Sequence, residues 1–128
     1  MLGEAASYLN DKKIFFDSTT LEGLTDLKRG IDHWENLNDE SLRVVFIDAT
    51  IGDLSLSFGK SARKVCEMLL NLSLESSICF ILLANIRPHP EKPVSHAPTD
   101  LDVEDIHVLK EYAEQVLILS PKIAPFLK

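Results

Sequence analysis

Apolar positions along this chain recur in two patterns. Leu24, Leu27, Ile31 and Trp34 fall three and four residues apart, which predicts an amphipathic helix ending near Asn36. Gly23 and Gly30 would weaken that helix by roughly 1 kcal/mol each if interior. Val65, Met68, Leu69 and Leu72 repeat the spacing and predict a second helix over about 61–74. A third covers about 103–113, and residues 1–11 read as a short helix with Ala5, Ala6 and Leu9 inward. The other pattern is the continuous apolar run, the signature of a strand buried on both faces. It occurs at 13–17, 42–48, 77–84 and 116–119.

Polar stretches separate these elements. Asn38-Asp39-Glu40-Ser41 is a turn, and residues 51–59 read as a loop. A long loop at 85–101 holds Pro88, Pro90, Pro93 and Pro98, and loops of such length in compact domains are usually functional or mobile. Residues 120–128 form a tail. The order β-α-β-α-β-loop-α-β predicts an α/β fold with a mostly parallel sheet, right-handed crossovers and helices on both faces. The 128 residues show no internal repeat and no dividing linker, so they are expected to form one domain.

Composition narrows the function classes. Hydrophobic residues make up 45% of the chain and are well spread, which argues against intrinsic disorder. No apolar run approaches the ~18 residues of a membrane helix, so no membrane partner is expected. The first residues lack the basic flank and apolar core of a secretory signal. Cys66 and Cys79 lie in apolar stretches and read as two core thiols in a reducing cytoplasm. Asn71-Leu72-Ser73 fits a glycosylation pattern, which without an export signal reads as chance. Acids outnumber bases 20 to 13 for a net charge of −7, and the bases are scattered. Nucleic-acid binding draws most of its affinity from phosphate neutralisation. Strong autonomous DNA binding is therefore not expected; DNA contact is expected only within an assembly.

Candidate chemistry begins with Val44-Val45-Phe46-Ile47-Asp48, an apolar run ending in a carboxylate. Ligands of open α/β sheets sit beyond the carboxyl ends of strands. An Asp there suits the Walker B role of orienting Mg²⁺, although many βα units end in Asp only to cap the next helix. Gly59-Lys60-Ser61 looks like the end of a P-loop, but the first glycine of G-x-x-x-x-G-K-[ST] would fall at Leu54. No phosphate cradle is expected there. His89, His96, Asp100 and His107 are too loosely spaced for a structural zinc site. Asp17, Asp48 and Lys122 together suggest a receiver-like signalling domain with Asp48 as phosphoacceptor. That site needs paired acids, and Ser18 follows Asp17. No nucleophile-elbow motif is present.

Taken in order, these segments resemble the second half of the RecA-like ATPase domain of DnaB-type replicative helicases, a P-loop NTPase fold. The likeness spans residues 3–120. It rests on Ile14-Phe15-Phe16-Asp17-Ser18-Thr19, Leu24-Thr25-Asp26-Leu27, Val44-Val45-Phe46-Ile47-Asp48 and Phe80-Ile81-Leu82-Leu83-Ala84-Asn85-Ile86-Arg87. It continues through Thr99-Asp100-Leu101-Asp102 and the run from Tyr112 to Leu119.

The resemblance implies a three-layer, mostly parallel sheet flanked by helices. It implies that Asp48 holds Mg²⁺ through water and that Arg87 ends the sensor strand. The family's sensor Gln falls near Ala84, with Asn85 a substitute. Asp48, Asn85 and Arg87 are thus the expected nucleotide-binding residues. Walker A, the catalytic Glu and the arginine-finger hairpin have no counterpart here. ATP and Mg²⁺ binding is therefore expected to be weak or lost, and no ATPase activity is expected from the chain alone. A partial domain of this kind would expose an apolar face and a sheet edge, which implies a protein partner or self-association. The alternatives are the receiver-like domain and a non-catalytic interaction module.

Overall fold

The structure, a computed structural model, describes residues 14–86 and 103–118. Helix α1 (Leu24–Asn38) buries Leu27, Ile31 and Trp34, so the apolar stripe read from the sequence does face the interior. A short turn through Asp39, which adopts a left-handed conformation, leads to strand β1 (Val44–Thr50). The Glu35 carboxylate accepts the Leu42 amide at 2.7 Å and ties this turn back to the helix.

Helices α2 (Ile51–Phe58) and α3 (Ala62–Ser76) follow without an intervening strand. Gly59, with φ 63°, ends α2 in the left-handed geometry that glycine adopts at least cost. Ser61 then caps α3 by accepting the Lys64 amide. Strand β2 (Cys79–Leu83) returns parallel to β1, with Val44 opposite Cys79 and Ile47 opposite Leu82. Helix α4 (Ile106–Tyr112) packs on α3 and is the last helix of the described residues.

One apolar core joins the elements. Leu27 and Ile31 of α1, Ile47 of β1, Ile51 and Leu54 of α2, and Val65, Cys66, Leu69 and Leu72 of α3 meet with Ile78 in a single cluster. Val45, Ala49, Phe80 and Leu82 pack against it from the sheet. Val44, Phe46, Ile81 and Leu83 do not; they point away from the helices and stay exposed.

The architecture is therefore mixed α/β with a parallel two-stranded sheet, and several finer expectations need correction. Residues 14–17 are exposed and form no strand, and residues 116–118 likewise lie outside the sheet. Among the described residues helices cover one face of the sheet, and the third layer expected on the other face is not shown among them. The stretch 51–59 is mostly helix, because Ile51 and Leu54 share a buried stripe behind a capping box. Cys79 is exposed and Cys66 buried, since β2 turns position 79 toward the uncovered face.

Candidate functional site

Asp48 lies near the carboxyl end of β1, exposed on the side away from the core. The strand pairing is broken there: Ile47 faces Leu82 and Thr50 faces Leu83, so Asp48 and Ala49 form an irregularity with no counterpart in β2. Bulges of this type re-aim side chains and terminate pairing. Asp48 therefore does not quite cap its strand; two residues follow it before α2 begins.

Those two residues are held firmly. The Thr50 hydroxyl accepts the Asp53 amide at 3.1 Å, and the Asp53 carboxylate accepts the Thr50 amide at 3.1 Å. This capping box satisfies two N–H groups at the start of α2. Its T-x-x-D pattern was readable in the sequence. A third carboxylate arrives from far along the chain: a Cβ on Gly52 would lie 3.7 Å from Thr50 Oγ1 and 3.8 Å from Asp105 Oδ2. Asp105 carried no local signal, because fifty-odd residues separate it from Gly52.

Asn85 lies two residues beyond β2, so it and Asp48 occupy the carboxyl ends of neighbouring parallel strands. The Asn85 carbonyl accepts the Glu104 amide at 2.7 Å, and Ile86 bridges Val103 in antiparallel fashion. The two ends of the long proline-bearing stretch are thereby tied together at this edge. Arg87, His89, His96, Asp100 and Lys122 lie outside the described residues.

The neighbourhood is acidic. Among the described residues no group of three His, Cys, Asp or Glu side chains is arranged to hold a metal ion. Asp48 could offer at most one carboxylate to Mg²⁺, which would need phosphate and water for its remaining ligands. The Gly59-Lys60-Ser61 stretch forms the turn between α2 and α3, not a strand-to-helix loop, so it lacks the setting of a phosphate cradle.

Asp17 lies over α1, with its carboxylate 3.5 Å from where a Gly30 Cβ would stand. Its carboxyl is held below the ordinary 3.8, first by the Thr19 hydroxyl and then by the Thr19 amide, with His33 adding a smaller pull. The Thr19 amide donates to it at 2.8 Å. The structure thus gives Asp17 a local turn to stabilise.

A shallow polar depression lined by Glu35, Asn36, Asp39, Glu40 and Ser41 lies at the opposite, amino end of β1. No helix among the described residues is long and apolar enough to cross a membrane. No known protein family, curated protein or solved structure matches this chain.

Proposed function

We propose that this chain is a partial RecA-like domain of DnaB type that acts in DNA replication as a cytoplasmic protein-interaction module, binding nucleotide weakly or not at all. The supporting observation is the uncovered sheet face. Val44, Phe46, Ile81 and Leu83 are 53, 59, 43 and 40% exposed there, side by side on two parallel strands. In a three-layer domain that face would be packed under a second set of helices. An apolar patch left open on a sheet marks a contact surface. The occupant that fits the resemblance is a DnaB-type helicase, whose own α/β domain would supply the missing layer.

The position of Asp48 and Asn85 at the carboxyl ends of neighbouring parallel strands supports this reading, and the acidic edge and the α2–α3 turn at Gly59 supply no phosphate cradle, which supports weak or absent nucleotide binding. The receiver-like reading gains nothing from Asp17, which lies over α1.

The experiment is a calorimetric titration of the full chain into a purified DnaB-type helicase, with Phe46→Asp and Ile81→Asp in parallel. Wild type should bind and both variants should lose binding while keeping their circular dichroism. Equal binding by wild type and variants, or no binding by either, overturns the reading. A companion titration with Mg-ATP should show at most millimolar affinity.

A further inference from the structure

We propose that β1 is a self-association strand: its open edge pairs antiparallel with β1 of a second copy of this chain, joining two two-stranded sheets into one of four strands. The inference concerns the edge of the sheet, not its open face, and does not depend on the partner named above.

The backbone sets which groups that edge presents. The Cys79 amide donates to the Arg43 carbonyl at 2.8 Å, and Val44 and Val45 stand opposite Cys79 and Phe80. In a parallel ladder the N–H and C=O of one residue point to the same side, and the side alternates along the strand. Arg43, Val45 and Ile47 therefore address β2. The amides and carbonyls of Val44 and Phe46 point the other way. Among the described residues no strand pairs with them, since β1 and β2 are the only members of the sheet.

Edges of this kind are normally blunted by a proline, a lysine or an inward-pointing charge. Between Arg43 and Asp48, β1 reads Val44-Val45-Phe46-Ile47 and carries none of these. Val44 and Phe46, whose backbone groups are the open ones, are also exposed on the side-chain level. A sheet of two strands is marginal by itself, and three or more are the norm.

Charge selects the occupant and its direction. The apolar run is bracketed by exposed charges of opposite sign, Arg43 before it and Asp48 after it. A second copy laid parallel and in register would set Arg43 beside Arg43 and Asp48 beside Asp48. Laid antiparallel about Val45, it sets each Arg43 opposite Ile47 of the other copy, one residue from the other copy's Asp48. The same register makes Val44 and Phe46 hydrogen-bonded partners across the junction, twice over. Their side chains then meet on the open face as aromatic–β-branched pairs, a favourable cross-strand combination. The pairing uses only the regular part of β1, ahead of the irregularity at Asp48. A two-fold axis at Val45, perpendicular to the sheet, generates the whole arrangement, the isologous symmetry of most dimers. An interface this short falls in the weak class, so the equilibrium should lie at high micromolar protein.

The test is sedimentation equilibrium of the full chain from micromolar to millimolar protein. Wild type should pass from monomer to dimer, and a monomer at every concentration overturns the proposal. Phe46→Pro removes an outward N–H and leaves the bonds to β2 in place. The symmetry removes it from both copies at once, so the association constant should fall roughly tenfold or more with circular dichroism unchanged. Arg43→Asp and Asp48→Arg should each weaken the dimer, and the two together should restore it. A dimer indifferent to these changes, or a double variant as weak as the single ones, assigns the contact to another surface and overturns the edge. Disulfide trapping fixes the register. Val45 pairs with itself across the axis at a Cα separation of about 4.5 Å, within disulfide range. In a Cys79→Ser background, mild oxidation of Val45→Cys should link most molecules into dimers. Half-buried Val45 should outpace Leu56→Cys, a far more exposed position away from β1. Equal or slower linking at position 45 overturns the proposed pairing.

Discussion

Thr50 and Asp53 hold each other across the first turn of α2, each side chain taking the other's backbone amide at 3.1 Å. The pair fixes how the chain leaves β1 immediately after the Asp48 irregularity. Replacing Thr50 by Ala should destabilise the protein by about 1 kcal/mol, the usual worth of a side-chain cap. Asp53→Ala should cost a similar amount, since it also removes a negative charge from the positive end of the helix. Because each residue serves the other, the double variant should cost less than the sum of the two. Urea midpoints at constant m-value measure all three.

Ser77 ends α3 in the left-handed region, with φ 56°. A residue bearing Cβ is strained there by roughly 1 kcal/mol, and glycine is not. The cap itself is a backbone bond, from the Ser77 N–H to the Ser73 carbonyl, and survives substitution. The Ser73 hydroxyl continues to donate to the Ile78 carbonyl at 2.6 Å. Ser77→Gly should therefore stabilise the fold by about 0.5–1 kcal/mol, read as a rise in urea midpoint.

These local devices divide what the sequence reveals from what it hides. The helical stripes of α1 and α3 were legible because periodic burial follows directly from residue spacing. The parallel pairing of β1 and β2 followed from apolar runs joined by a helical crossover. The run at 13–17 misled, because an apolar run reports a tendency to be buried, whereas pairing depends on what lies alongside. Phe15 found a partner in Trp34 of α1 instead of a ladder. The run at 77–84 suggested burial on both faces, yet Ile81 and Leu83 face outward, since no helix among the described residues covers them. At the candidate site, the position of Asp48 at the end of its strand was legible from the apolar run before it, whereas Asn85 was singled out only through the helicase resemblance. Asp105 was not legible, because its approach to Gly52 depends on how α4 docks.

Burial separates the two cysteines chemically. Cys66 is packed within the core cluster and Cys79 is exposed. A thiol reagent at neutral pH should therefore add once to the native protein, at Cys79, and a second time only after denaturation. Mass spectrometry with peptide mapping reads both events. Burial pushes the Cys66 thiol above its ordinary 9.0, and the Asp105 carboxylate pushes the same way against a weaker opposing pull from Arg63. The folded state then keeps a proton that the unfolded chain gives up. Its contribution to stability is complete below pH 9.0 and is lost as pH rises through the raised folded value. Cys66→Val should flatten this alkaline loss, seen in stability measured between neutral pH and about pH 10–11.

Helix α2 offers a comparison of burial at fixed secondary structure. Ile51 is 2% exposed at its first turn, and Leu56 is 86% exposed one turn and a half later. Alanine is a better helix former than either residue, so propensity alone would make both substitutions mildly stabilising. Packing should decide otherwise at Ile51, which touches the core shared by α1, β1 and α3. Ile51→Ala should cost about 2–5 kcal/mol from lost transfer energy and the cavity left behind. Leu56→Ala should stay within about 0.5 kcal/mol of wild type, as for surface positions away from special features. If the Leu56 substitution costs as much as that at Ile51, then the outer side of α2 is covered in solution, and chemical denaturation at increasing protein concentration will show that cover as a rising midpoint.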